Sequence, residues 1–481
     1  MTHQHTIFWH DYETWGSNPR QDRPCQFAGI RTDEDLNIID DPVEFYCRPT
    51  PDYLPHPDAC VVTGISPEVA LEKGVSEAEF SALIAEQFMQ PNTCVSGYNS
   101  IRFDDEITRH LFYRCFYDPY EREWKFGNSR WDIIDLLRTT QALRPDGINW
   151  PQKEDGSPSF KLENLTAANG IEHSGAHDAM ADVIATIEMA KLVKTHQPRL
   201  YDWLYQLRKK NRVIPLLDLK TRDMLLHVSG MFPASRGCLA VIMPLLMDPT
   251  NSNGIVVLDL AQDPAVWLDL EAEEIRHRLF TRSEDLGAVE RVSLKTIHVN
   301  KCPSIAPMSV LSDDTRKRFS IDLDACQRHR EKILSHPSIL TKLAHVFTEP
   351  DFEATSDPDL MLYSGGFFND QDRKMMNEVR LASSDKLTAL DLPFHDVRLP
   401  EMLFRYRARN FPETLNGEET ARWQGWCAEQ LIKGAGMHGL SASAFFVRLN
   451  ELVKEMPDNK ALFDSLENYA TGLCKQLGVK V

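Results

Sequence analysis

Along residues 1–195 the spacing of apolar side chains switches between the period of two that marks strands and the period of 3.6 that marks helices. Thr6 to Glu13 alternates, is rich in β-formers and predicts a strand; Cys94 to Tyr98 predicts a second, shorter one. Asp104 to Phe116 reads as a helix. So does Asp178 to Lys194, where Met180, Val183, Ile184, Ile187 and Ala190 fall along one face. Strands and helices in alternation predict an α/β domain over 1–195, ended by the break His196-Gln197-Pro198-Arg199.

From 198 to 350 the texture is more strand-rich, with candidate strands at Leu225 to Met231, Leu239 to Met243, Gly254 to Leu260 and Val292 to Asn300. Glu349 to Asp359 is acidic, carries two prolines and reads as a linker. Residues 354–481 then read as mostly helical, with Thr420 to Lys433, Ser443 to Glu455 and Asn459 to Leu477 as the clearest segments. At 481 residues the chain exceeds one ordinary core, so these three segments are expected to be separate domains.

Composition narrows the class. Hydrophobic content of 42% and charged content of 26% fit a soluble globular protein. The ten cysteines are scattered singly with no zinc spacing, which argues for reduced thiols and against a disulfide framework. There is no basic-then-apolar signal pattern, and no apolar run approaches the roughly 20 residues a bilayer requires. A cytoplasmic protein is expected. Its net charge of −18 argues against a coating mode of nucleic-acid binding but not against a local basic groove, because binding depends on where positive charge lies.

Five side chains carry the chemistry: Asp11 and Glu13 in the first strand, Asp104 at the start of a helix, and His177 and Asp182 around the start of another. Asp11 and Glu13, two apart on a strand, leave the same face. Asp104 follows a strand at a helix N-terminus. His177 and Asp182 are separated by roughly 140° on an ideal helix at about 100° per residue. They converge only if His177 lies at or before the helix start, an entry that Ser174-Gly175-Ala176 makes feasible. Gathered carboxylates repel one another unless cations lie between them, so the set predicts a site for hard, oxygen-loving metals. A two-metal template would use Asp11, Glu13, Asp104 and Asp182 as ligands and His177 to take a proton from the attacking water. Nearby acids are read as structural: Asp105 and Asp178 as capping or solvated, Asp132 and Asp135 as decoys.

In this order the five resemble the DEDD superfamily of 3′→5′ exonucleases, in the branch whose third motif is His-x4-Asp. Phe160-Lys161-Leu162-Glu163-Asn164-Leu165 strengthens the match. Gly147-Ile148-Asn149-Trp150-Pro151 and Ala168-Asn169-Gly170-Ile171-Glu172-His173-Ser174 are similar to the bacterial exonuclease I family in particular. The likeness continues through His227-Val228-Ser229-Gly230-Met231-Phe232, Asn300-Lys301-Cys302-Pro303 and Tyr406-Arg407-Ala408-Arg409-Asn410-Phe411-Pro412. It implies a ribonuclease H-like exonuclease domain with a mixed sheet (1–195), an SH3-like middle domain (198–350) and a helical C-terminal domain (354–481). It also implies two Mg²⁺ ions, for which Mn²⁺ can substitute, and processive 3′→5′ degradation of single-stranded DNA to 5′-mononucleotides in DNA repair and recombination. The family further implies a monomer recruited by the acidic C-terminal tail of single-stranded DNA-binding protein.

Substrate contacts implied by the resemblance are Glu13, Lys161, Arg109, Tyr120, Trp124 and Arg138. Where the family pattern has an arginine this chain has Lys161, which keeps the charge and loses the bidentate fork. Cations and aromatic faces interleave from Arg109 to Phe126, as single-strand binding needs, although most of these aromatics are expected in the core. Arg208 to Arg212, Arg316 to Arg318, and Arg405 with Arg409 are either solvated faces or docking and groove residues. Two other readings remain: an RNA-trimming or proofreading 3′→5′ exonuclease, and an inactive single-strand binding module.

Overall fold

The computed structural model describes residues 5–173, 175, 177–348, 355–436 and 439–480. The chain divides into two compact units, and these are not three consecutive segments. One is Met1–Ser129, His173–Ile184 and Glu353–Val481; the other is Arg130–Glu172 and Ala185–Phe352.

In the first unit β1 (Thr6–Thr14) pairs antiparallel with β2 (Pro24–Asp33), in register from Thr6↔Asp33 to Glu13↔Gln26. On its other side β1 runs parallel to β4 (Thr93–Gly97), from Thr6↔Thr93 to Trp9↔Ser96. β3 (Val43–Tyr46) adds antiparallel to β2. The mixed sheet is as expected. Alternation along β1 places Phe8 and Tyr12 in a core with Phe27, Phe80, Phe88, Ile107, Leu111 and Phe112. Asp11 and Glu13 take the opposite face.

The C-terminal segment is not an appendage within this unit. Leu399, Met402 and Tyr406, from the helix Leu399–Asn410, belong to the same core as Phe8 and Phe27. Phe445, Leu449, Phe463 and Leu466 complete a second core with Trp15, Tyr53 and Leu54. Each such side chain contributes about 1.5–3 kcal/mol when fully buried. Part of the expected linker (349–354) lies outside the described residues. The rest is ordered by charge: Asp357 caps the short turn Pro358–Leu360, and Asp359 is buried against Arg405 and Arg409.

The chain enters the second unit within β5 (Ser129–Asp132), which leads into the helix Ile133–Leu143. This unit is built on an antiparallel sheet of β6 (Leu225–Val228), β7 (Leu239–Met247), β8 (Gly254–Asp259), β9 (Leu294–His298) and β10 (Ser304–Pro307), in the order β10-β6-β7-β8-β9. Its core gathers Leu226, Val241, Met243, Val256, Leu258 and Trp267. β7 runs four residues beyond the expected Met243 because a register shift between Pro244 and Leu246 absorbs the proline. β10 was not expected: four residues closed by Pro307 give too little alternation to read. Strand β6 stops at Val228, short of Met231, since Ser229 to Phe232 turn back on a backbone hydrogen bond.

Among the described residues no helix is long and apolar enough to cross a membrane. All ten cysteines are buried thiols.

Candidate active site

The ladder between β1 and β4 ends at Trp9↔Ser96, so Asp11 and Glu13 project beyond the carboxyl end of the parallel pair, where α/β sheets bind ligands. A register shift after Glu13 bends the strand there. Past β4 the chain turns and enters the helix Asp104–Arg114 at Asp104 itself. With β4 finished, the carboxylate of Asp104 takes the place of a ladder partner: its Oδ1 accepts from the backbone N–H of Tyr12 at 3.2 Å. Tyr12 Oη and Thr108 Oγ1 lie 3.0 Å apart, and Thr108 donates to the Asp104 carbonyl at 2.8 Å. Tyr12 thus locks the start of this helix to β1 between the two strand carboxylates.

Asp182 arrives from the first turn of the helix Ala179–His196, whose start is capped by Asp178 accepting from Ala181 N at 3.0 Å. Asp11, Glu13 and Asp182 each offer a carboxylate oxygen, and these atoms lie within 4.8 Å of one another. Glu13 is only 7% exposed. Burial, then the charges of Asp182, Asp104 and Asp178, push its carboxyl up to about 9. Burial does the same to Asp11, raised well above the ordinary range, with Asp104, Glu13 and Asp182 adding to it. Mutual repulsion in a desolvated pocket is what a divalent cation relieves. An all-carboxylate donor set suits Mg²⁺, Mn²⁺ or Ca²⁺ better than softer ions. The residues therefore fit a divalent metal.

His177 does not join this cluster among the described residues. It is exposed, in the turn just before the helix, with a left-handed φ of 69°. It does sit before the helix start, as the spacing required, but the histidine against the acids is His173, whose Nε2 is 2.5 Å from Asp182 Oδ1. No periodic signal marked His173; its contact depends on the loop that follows, where Gly175 and His177 both take positive φ. Of that loop, Ser174 and Ala176 lie outside the described residues.

The remaining expected residues divide sharply. Arg109 is buried, donating to Glu106 Oε1 at 2.6 Å and to Glu123 Oε1 at 2.8 Å, with the half-buried Tyr120 ring 5.4 Å from its guanidinium. Trp124 is 65% exposed. Lys161, in the second unit, is exposed before the helix Leu162–Ala168, 3.5 Å from Glu163. Arg138, in the same unit, donates to Asp135 at 2.8 Å and lies over the Phe160 ring. It also presses on Gly230, where a Cβ would come within 2.8 Å of its Cζ. Asp132 caps the helix Ile133–Leu143, a structural role as read. Asp105 is neither a cap nor solvated: it is buried against Arg122 at 2.5 Å. Arg405 and Arg409 are likewise buried ion-pair partners. In the basic clusters, Arg208 stacks on Tyr205 at 3.5 Å, and Arg318 donates to the carbonyls of Gln141 and Ala142.

Comparison with known proteins agrees along the whole length. Residues 8–190 match the family model described as Exonuclease, 208–349 the Exonuclease I SH3-like domain, and 356–473 the Exonuclease I C-terminal domain. The chain is 48% identical to exodeoxyribonuclease I of Escherichia coli strain K12, over 87% of this chain and 88% of the relative. Against exodeoxyribonuclease I of Haemophilus influenzae identity is 45%, over 99% and 100%. A zinc-bound crystal structure of the E. coli ExoI–ssDNA complex superposes with a TM-score of 0.92 at 45% identity, covering 98% of this chain and 100% of that one. Matched by three family models and by relatives spanning nearly its full length, the chain belongs to the exonuclease I family.

Proposed function

We propose that this protein is a processive 3′→5′ exonuclease that degrades single-stranded DNA to 5′-mononucleotides, with Mg²⁺ as its working cation. The observation that carries the reading is the meeting of Asp11, Glu13 and Asp182 within 4.8 Å, beside Asp104, in a chain of this family. Divalent cations held there by Asp11, Glu13, Asp104 and Asp182 would polarise the scissile phosphodiester and lower the pKa of water. The chain's own residues set the rest. Asp104, tied to Tyr12 N, holds its carboxylate beside the two on β1. His177, exposed one turn ahead of Asp182, is assigned the proton from the attacking water. Glu13, at the end of β1, is assigned to the 3′-terminal nucleotide.

Contacts with the strand are assigned to Trp124 and Tyr120 as stacking faces and to Lys161 and Arg138 as phosphate partners. Arg109 acts indirectly, by fixing Tyr120. The E. coli relative is solved with single-stranded DNA and zinc, which supports both the substrate and the metal requirement. A monomer in the cytoplasm, acting in repair and recombination and recruited by the acidic tail of single-stranded DNA-binding protein, completes the proposal.

The test uses single-stranded DNA, duplex DNA and RNA, each labelled at either end, with Mg²⁺ or chelator. Mononucleotides are expected from the 3′ end of single-stranded DNA alone, and Asp11→Ala should abolish their release without unfolding the protein. Attack from the 5′ end, preference for RNA, or full turnover in chelator rejects the reading.

A further inference from the structure

Two histidines four residues apart flank the loop that delivers Asp182, and they face different surroundings. His173 has a side chain 5% exposed, with Nε2 at 2.5 Å from Asp182 Oδ1. His177 is exposed. The backbone takes φ 107° at Gly175 and 69° at His177. A left-handed conformation at a residue other than glycine costs on the order of 1–3 kcal/mol and persists where the surroundings enforce it.

Asp182 needs a hold of this kind. It stands in the first turn of its helix, half-buried, opposite Asp11 and Glu13, and its charge is among the causes that raise the carboxyls of both. Repulsion alone would rotate it towards solvent. A nitrogen donor on one carboxylate oxygen opposes that rotation, because a ligand fixed by a hydrogen bond keeps its aim. The other three carboxylates have backbone to do this: two ride on β1 and Asp104 is tied to Tyr12 N. Asp182 has His173.

Resting on the reading above that Asp182 binds a divalent cation, we propose that His173 is a positioning residue of the metal centre, holding Asp182 in the orientation in which it meets Asp11 and Glu13. It touches no reacting atom, and the proton-accepting role stays with His177. The two histidines of one loop thus divide the work, one orienting a ligand and the other handling the proton.

Titration of the full-length protein with Mn²⁺ alone, followed by calorimetry and by the Mn²⁺ electron paramagnetic resonance signal, separates these roles. His173→Ala should weaken Mn²⁺ binding about 10–100-fold, the usual loss when a ligand's hydrogen-bond partner is removed. Its turnover on single-stranded DNA should return as Mn²⁺ is raised. His173→Gln, whose amide can still donate, should recover most of the affinity. His177→Ala should bind Mn²⁺ like the wild type and lose turnover at every metal concentration. Should His173→Ala fail to fold, His173→Gln against His173→Leu provides the same comparison. Wild-type Mn²⁺ affinity in His173→Ala or His173→Leu overturns the proposal. So does turnover that stays lost at saturating Mn²⁺, which would place His173 among the reacting groups. Wild-type Mn²⁺ binding by Asp182→Asn would instead remove the cation site itself, and the proposal with it.

Discussion

Glu13 shows at one carboxyl how the site works against the fold. Its folded-state pKa is raised from the ordinary 4.5 to about 9, so the folded protein keeps a proton that the unfolded chain has released. The stability of the cation-free protein is therefore greatest below about pH 4.5 as far as this group is concerned, and it declines as pH rises towards 9. Glu13→Gln cannot ionise and should remove part of that decline. In chelator the variant is expected to melt above the wild type at pH 8, by on the order of 1–3 kcal/mol, with the difference vanishing near pH 4 and when Mg²⁺ is added to the wild type. Melting curves across this pH range check it; a wild-type profile as flat as that of the variant would contradict the raised carboxyl. His177→Ala should lower kcat about 10²–10⁴-fold, the usual worth of a positioned general base. A loss under tenfold in single-turnover kinetics would move the proton elsewhere. The shared face of Asp11 and Glu13 is legible in the sequence because two carboxylates at i and i+2 of a strand share a face whatever the rest of the fold does. His173 is not, because its approach to Asp182 depends on two left-handed residues that no pattern of apolar spacing encodes.

Between residue and molecule, the helix Asp104–Arg114 and the turns after it separate two kinds of aromatic and basic side chain that the sequence interleaves. The helix is buried along all its residues, which is why Arg109 serves as an internal anchor between Glu106 and Glu123. Trp124, between two short 3-10 turns, lies at the surface. Composition gave both residues the same promise; only the depth of the helix tells them apart. Their alanine variants should fail in opposite ways. Arg109→Ala removes the buried cation that Glu106 and Glu123 share and should cost about 3–5 kcal/mol of stability. Trp124→Ala should leave the melting temperature unchanged and weaken capture of single-stranded DNA by about 1–3 kcal/mol, the worth of one stacked base. Thermal melting and fluorescence anisotropy with a labelled oligonucleotide distinguish the two. A stable Arg109→Ala with weakened DNA capture would reverse the assignment and return Arg109 to the strand. Strong local signals in the sequence place β1 and the helix Ala179–His196 within a few residues of their bounds. One clear start was missed: the helix Gly417–Lys433 begins three residues earlier than expected, at a capping box of Asn416 and Glu419.

On the scale of the whole chain, charge fixes the C-terminal segment to the N-terminal strands within the first unit. Asp52, after β3, receives Arg23 at 2.8 Å and Arg409 at 2.9 Å; Arg409 also reaches Asp359 at 2.5 Å, and Arg405 joins Asp357 at 2.6 Å and Asp359 at 3.2 Å. Acidic sequence with two prolines reads as linker by composition, and no local rule shows that its last aspartate will be buried between arginines some fifty residues on. Burial raises the cost of charge on Asp52 and Asp359, yet the paired arginines outweigh it and hold both carboxyls below the ordinary 3.8. Groups lowered in this way stabilise the fold above the ordinary carboxylate range and lose that contribution as pH falls through their folded-state values. Asp359→Asn removes the charge and keeps the shape, leaving two buried guanidinium groups short of a partner. At pH 7 the variant should be destabilised by about 3–5 kcal/mol, the usual effect of breaking a buried pair from one side. Below pH 4 the wild type approaches the same condition by protonation, so the gap between the two should narrow as acid is added. Urea unfolding at pH 7, 5 and 3 measures that gap directly. A gap constant across this range would mean that Asp359 acts through its shape, and that the arginines of the C-terminal segment are held by something other than charge.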